Sequence, residues 1–239
     1  MKKLILFLIL LLALPCYGQE LARMNPYVAG SVAAIVASCG LLSDTFEAAD
    51  GTDSDTYGWT DISGNPGTLI EIDTAQYYAG ASSMLFDNSV DDTEYIIGKT
   101  FSGPTTGKYV ISFRFRVADV ETGTHVALFA ANAGATWTWA SSFALFLRTS
   151  EDDLQAYYAG GWNTLSAGTI TVNTWHYVEI ELDMDSNVFD LWLNGSQVGT
   201  DVAFANNIDP DYIFLFKDKN TNAINDSWTD NLCVQSGAR

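Results

Sequence analysis

The chain is short of positive charge. Eleven Lys and Arg stand against 29 Asp and Glu in 239 residues, a formal net charge of −18. Such a surface cannot neutralise a phosphate backbone, which argues against nucleic acid as a partner. Anionic lipid and polyanionic glycans are disfavoured for the same reason, whereas neutral sugars and divalent cations are compatible with it. Histidine is scarcer still. His125 and His176 are the only two, and neither stands in a Ser/His/Asp or His/Cys metal pattern. His176 has core parity at the start of its strand and reads as a structural histidine. Long apolar runs are also missing. Leu4–Leu14 is eleven residues, well below the roughly 20 that a membrane-spanning helix needs. It follows Lys2 and Lys3 and precedes Cys16-Tyr17-Gly18. That pattern is a secretory signal peptide over residues 1–18, cut before Gln19.

Cysteine is equally sparse. Cys16 leaves with the leader, and Cys39 and Cys233 remain near the two ends of the mature chain. In a secreted protein this pair has three readings: one disulfide, two free or buried thiols, or lipid attachment at Cys39 after Val36-Ala37-Ser38. Residues 19–43 differ from the rest of the mature chain. Asn25-Pro26 caps a helical pattern carried by Val28, Val32, Ile35, Val36 and Cys39, and Gly40 can stop it. The spacing predicts an apolar helix over 26–39: a packing linker, a docking segment for self-assembly, or a membrane-associated segment.

From Asp44 to residue 237 the pattern is one of strands. Short alternating runs are separated by Gly, Asn, Asp, Ser and Thr clusters. The clearest is Thr174–Gly195. Val178, Ile180, Leu182 and Met184 share one face; Glu179, Glu181, Asp183 and Asp185 share the other. Phe189, Leu191 and Leu193 resume the apolar row, as in a β-hairpin with one face in a core. A two-residue turn at Ser186-Asn187 would pair Asp185 with Val188 and Ile180 with Leu193. His125–Ala131 and Phe143–Leu147 are apolar on both parities, so both of their faces should be covered or face a ligand. A dozen such strands imply an all-β, two-sheet antiparallel sandwich.

Four pieces resemble the concanavalin A-like jelly rolls, specifically the laminin-G-like domains of secreted and phage-associated proteins. These are Leu41–Glu47, Gly80–Phe86, Thr174–Gly195 and Trp228–Val234. The resemblance implies a jelly roll across the whole domain and says little of activity. It also implies a structural calcium between the opening and closing strands, with Asp44, Glu47 and Asp230 as ligands completed by carbonyl oxygens. A second oxygen-rich loop, Asp218–Asn222, fails the EF-hand pattern because Ala223 stands where Gly is required.

Glu179-Ile-Glu181-Leu-Asp183 is similar to the acidic strand of laminarinase-type glycoside hydrolases, which share the jelly-roll fold. Alternate residues of a strand stand about 7 Å apart, within the range that glycosidase carboxylates use. The order of acids departs from that family, and the row runs on to Asp185 and Asp190 as a solvated face would. Aromatic rings offer flat faces for sugars. Trp137 and Trp139 stand two apart, Trp162 follows Gly160-Gly161, and Tyr157 has parity opposite Leu154 and Ala156. These four form the candidate sugar platform, with Trp59, Trp175 and Trp228 left to the core or strand edges. The sequence therefore reads as a secreted, non-catalytic module that binds extracellular glycan. A structural subunit assembling through 19–43 and a glycoside hydrolase using Glu179 and Glu181 are the rivals.

Overall fold

The computed structural model describes residues 39–63, 69–87, 95–119, 124–131, 143–217 and 226–239. The expected leader, nearly all of the expected 26–39 helix, Trp137, Trp139 and residues 218–222 lie outside these residues. Among the described residues, the unit from Cys39 to Arg239 contains fifteen strands. They are β1 (Leu42–Asp44), β2 (Thr60–Ser63), β3 (Ile70–Asp73), β4 (Ser83–Phe86), β5 (Tyr95–Thr100), β6 (Lys108–Val117), β7 (Thr124–Ala131), β8 (Phe143–Ser150), β9 (Asp153–Tyr158), β10 (Gly161–Ser166), β11 (His176–Asp183), β12 (Val188–Leu193), β13 (Ser196–Ala203), β14 (Tyr212–Lys217) and β15 (Ser227–Ser236).

They form two antiparallel sheets. The eight-stranded sheet runs β13-β12-β11-β6-β15-β4-β3, with β1 also on β15. The seven-stranded sheet runs β10-β9-β8-β7-β14-β5-β2. The expected all-β sandwich is what the chain forms. Its first strand already includes Leu42 and Ser43, paired with Val234 and Cys233. The domain thus begins slightly before Asp44.

The core lies between the sheets, and alternation explains it. Val178, Ile180 and Leu182 on β11 face Phe113, Ile111 and Tyr109 on β6, and all are buried. Phe46, Trp59, Ile70, Ile72 and Met84 extend the same layer. Strand β15 would lose this phase without an irregularity. Between Asp230 and Cys233 it carries one residue more than β6, and Asn231 takes φ 52°. This bulge places both Trp228 and Asp230 on the outer face, yet turns Leu232 and Val234 inward. Cys233 then points outward, where Cys39 meets it in a disulfide with Cα atoms 5.4 Å apart.

The central hairpin keeps the expected faces but shifts in register. Asp183 pairs with Val188, Leu182 with Phe189 and Ile180 with Leu191. The turn is therefore four residues, 184–187, rather than two. Asp183 Oδ1 accepts the N–H groups of Asp185 and Ser186, each at 3.0 Å, and Asn187 adopts φ 56°. An aspartate-capped turn outcompetes the shorter one. A slip of two preserves every side chain's face. The tight two-residue turn lies one step later, at Asn194-Gly195, with φ 51° and 82° between Leu193 and Ser196.

Candidate functional site

The two outer faces differ in chemistry. On the seven-stranded sheet, Trp162 of β10 stands directly opposite Tyr157 of β9. Their rings meet edge to face at 5.6 Å, and Trp162 meets Phe146 at 4.6 Å. Ile96, Ala131, Phe146 and Tyr212 form a buried apolar cluster here, separate from the main core, with Tyr157, Trp162 and Ala205 packed on it. Gly98 makes room for it: a Cβ there would lie 2.0 Å from Cε1 of Tyr212. Strand β8 is thus apolar on both parities because both faces are covered, as its sequence indicated.

A polar row borders this cluster. The Arg148 guanidinium lies 3.8 Å from the Trp162 ring centroid. At that distance the cation sits over the ring face, where the indole quadrupole attracts it. Arg148 Nε donates to Gln155 Oε1 at 3.0 Å. Gln155 Nε2 donates to Thr164 Oγ1 at 3.4 Å, and Thr164 Oγ1 donates to Asp153 Oδ2 at 3.1 Å. This ladder crosses β8, β9 and β10 and aligns the guanidinium with the indole. Tyr157, Trp162, Arg148 and Gln155 are all half-buried. The face offers partly open aromatic surface beside aligned hydrogen-bonding groups. Tyr157 and Trp162 are thus brought together; sequence reasoning missed Phe146, Arg148, Gln155 and Tyr212.

The acidic row occupies the outer face of the eight-stranded sheet, and it is less open than alternation alone suggests. Glu181 is only 7 % exposed. Its Oε1 accepts Lys108 Nζ at 2.6 Å, and its Oε2 accepts the Arg239 N–H at 2.7 Å. Glu179 Oε2 pairs with Arg239 Nη2 at 3.0 Å, while that guanidinium covers Trp192 at 4.4 Å. Burial alone would raise the Glu181 carboxyl, but the bonds from Lys108 and Arg239 outweigh it and hold it below its ordinary value. A glycosidase acid needs the opposite shift. Lys108 and Arg239 thus hold both glutamates in hydrogen bonds and ion pairs within the protein.

Further along that face, Arg114 is sandwiched between Tyr78 at 3.6 Å and Tyr177 at 4.4 Å. His176 is buried. Its Nε2 lies 3.0 Å from the Thr171 N–H, its Nδ1 lies 3.1 Å from Asn194 Nδ2, and its ring stacks on Phe115 at 5.2 Å. Burial lowers its pKa despite the Thr171 bond, so it fills the structural role its parity suggested.

The three acids assigned to calcium all face protein donors. Asp44 Oδ1 accepts the Phe46 N–H at 3.0 Å and the Tyr57 hydroxyl at 2.9 Å. Its Oδ2 accepts Trp59 Nε1 at 2.9 Å and Lys99 Nζ at 2.7 Å. Both Glu47 oxygens accept the Ala81 N–H, at 3.0 and 3.1 Å. Asp230 Oδ2 accepts the N–H groups of Tyr78 and Ala79, and Oδ1 accepts that of Asn231. Calcium needs six to eight oxygens with lone pairs turned to it. Asp44 and Asp230 do not fit that requirement, because their oxygens are turned to four and three protein donors, and Glu47 alone, sharing one N–H between two oxygens, is no cage for the ion. Among the described residues no three or more His, Cys, Asp or Glu stand together to hold a metal.

The fold has solved counterparts. A sialidase matches with TM-score 0.59 at 9 % identity, over 83 % of this chain and 19 % of that one. A cellulose-induced protein, Cip1, matches with TM-score 0.57 at 18 % identity, over 82 % and 97 %. A carbohydrate esterase from the Shiga toxin-encoding bacteriophage phi24B matches with TM-score 0.55 at 15 % identity, over 82 % and 100 %. The chain is similar to them in fold. It spans about a fifth of the sialidase chain. No family model matches the sequence, and no curated protein matches it. Among the described residues, no helix is long and apolar enough to cross a membrane.

Proposed function

We propose that this chain is a secreted, non-catalytic binding module for extracellular glycan, a jelly roll of the laminin-G-like kind. One observation carries the reading: the seven-stranded sheet has an aromatic, apolar outer face. In a two-layer sandwich the outward positions ordinarily meet water. Here Tyr157 and Trp162 form the half-open rim of an apolar floor, beside the Arg148–Gln155–Thr164 ladder. That pairing of ring surface with oriented polar groups suits a pyranose, which has an apolar face and a hydroxyl edge. The names of the sialidase, Cip1 and the phage esterase, each drawn from carbohydrate chemistry or induction by cellulose, favour the same class. The Cys39–Cys233 bridge and the leader pattern support an extracellular setting.

The test is a glycan array followed by affinity electrophoresis on the glycan retained. Trp162→Ala and Tyr157→Ala should each weaken retention by about tenfold, the loss of one stacked ring, with the unfolding temperature measured alongside. Retention unchanged in both folded variants would reject this face as the site.

A further inference from the structure

We propose that Lys99 is the resident cation of this sandwich, its ammonium seated between the two sheets on Asp44, so that the domain closes without calcium. Strand parity sets the geometry. On β1, Leu42 and Asp44 face inward while Ser43 faces out beside Cys233. On β5, Tyr95 and Ile97 belong to the main core and Ile96 to the outer cluster. Lys99 therefore points inward from the seven-stranded sheet, and Asp44 inward from the eight-stranded one. Their 2.7 Å contact joins the two layers.

The site is built around that contact. The Asp44 side chain is 3 % exposed and that of Lys99 is 28 % exposed. The ammonium lies 5.5 Å from the Trp59 ring centroid and 5.8 Å from that of Tyr57, within the range of cation–π attraction. The same two residues donate their N–H and O–H to the carboxylate. Each oxygen of Asp44 thus accepts two donors, which fills its four lone-pair sites. A divalent ion would have to displace the ammonium and then meet three further donors aimed at the carboxylate.

Glu47 and Asp230 serve a separate purpose. Together they bind the turn Tyr78–Ala81 by its N–H groups. Gly80 lets Glu47 approach, since a Cβ there would lie 1.7 Å from Glu47 Oε1. Each of the three acids accepts hydrogen bonds from protein donors, and among the described residues the one cation among those donors is Lys99 on Asp44.

Thermal unfolding of the full chain with its disulfide intact tests the proposal. The unfolding temperature should be the same in excess EDTA and in millimolar calcium chloride, and calorimetric titration with calcium should give no saturable heat. A calcium-dependent rise that Asp44→Asn abolishes would overturn the proposal. Lys99→Met should lower the unfolding temperature by about 10 °C, because it strands a buried charge. The double variant Asp44→Asn with Lys99→Met should recover part of that loss. A Lys99→Met protein as stable as the parent, or a double variant no better than the single, would reject the ammonium's role. Should Lys99→Met not fold, the EDTA and calcium comparison on the parent protein still decides.

Discussion

At the residue scale, Asp230 shows how burial and hydrogen bonding compete over one carboxyl. It has no exposure to solvent. Burial raises its pKa, the three N–H groups of Tyr78, Ala79 and Asn231 lower it, and nearby Glu47 raises it again, leaving a value of about 6 against an ordinary 3.8. A group that titrates higher in the folded state holds its proton more tightly there. Its favourable contribution is complete below 3.8 and is lost as the pH climbs through about 6. The span is worth roughly 3 kcal/mol at most. The expected outcome is that the parent's unfolding temperature falls relative to that of Asp230→Asn between these two pH values and then runs parallel to it. Circular dichroism melts across the range would measure this. A parent that instead gained on the variant as pH rose would show that the N–H donors outweigh burial. No sequence pattern exposes this balance, since two of the three donors come from a turn some 150 residues away.

At the element scale, legibility followed burial. The central strands β6, β11 and β12 were readable because each alternates one apolar and one wet row. Strands β2, β10 and β13, which carry no clear alternation of apolar and polar residues, all lie at sheet edges. Edge strands have one backbone edge unpaired and little core to fill, so Thr60–Ser63, Gly161–Ser166 and Ser196–Ala203 carry polar and small residues that resemble loops. The candidate site was half legible for the same reason. Tyr157 shows its outward parity within its own strand, whereas Phe146 and Arg148 become neighbours of Trp162 only once β8, β9 and β10 are laid side by side. The hairpin's faces were fixed by alternation, but its register was decided by the Asp183 cap. Strand β1 has only three residues, and the disulfide adjoins it. Cys39–Cys233 closes a loop of 194 residues. Replacing both cysteines with serine should cost about 2–5 kcal/mol, read from urea midpoints. A midpoint within error of the parent would show that pairing with β15 suffices to hold β1.

At the scale of the whole molecule, the charge pattern sets the conditions under which the sandwich is most stable. Asp53, Asp61 and Glu71 all titrate above their ordinary values, with burial as the largest cause and neighbouring carboxylates adding to it. Asp230 moves the same way, and Glu181 moves the other way because Lys108 and Arg239 hold it. With a formal net charge of −18, deprotonation adds repulsion to a surface already crowded with its own sign. Each raised carboxyl stabilises the fold while protonated and loses that contribution as pH rises through its folded value. Glu181 contributes in the reverse sense and limits the gain at low pH. The unfolding temperature should therefore peak on the mildly acidic side of neutrality. Added monovalent salt should raise it at pH 7, because a Debye length of about 8 Å at physiological ionic strength screens most pairs across an open surface. At the acidic peak the increment should shrink, since less like charge remains to be screened. Scanning calorimetry over a grid of pH and sodium chloride concentration measures both slopes. A salt increment as large at the peak as at pH 7 would show that repulsion among surface acids is not what limits this fold, and would leave the internal pairs, Asp44–Lys99 foremost, as its governing electrostatics.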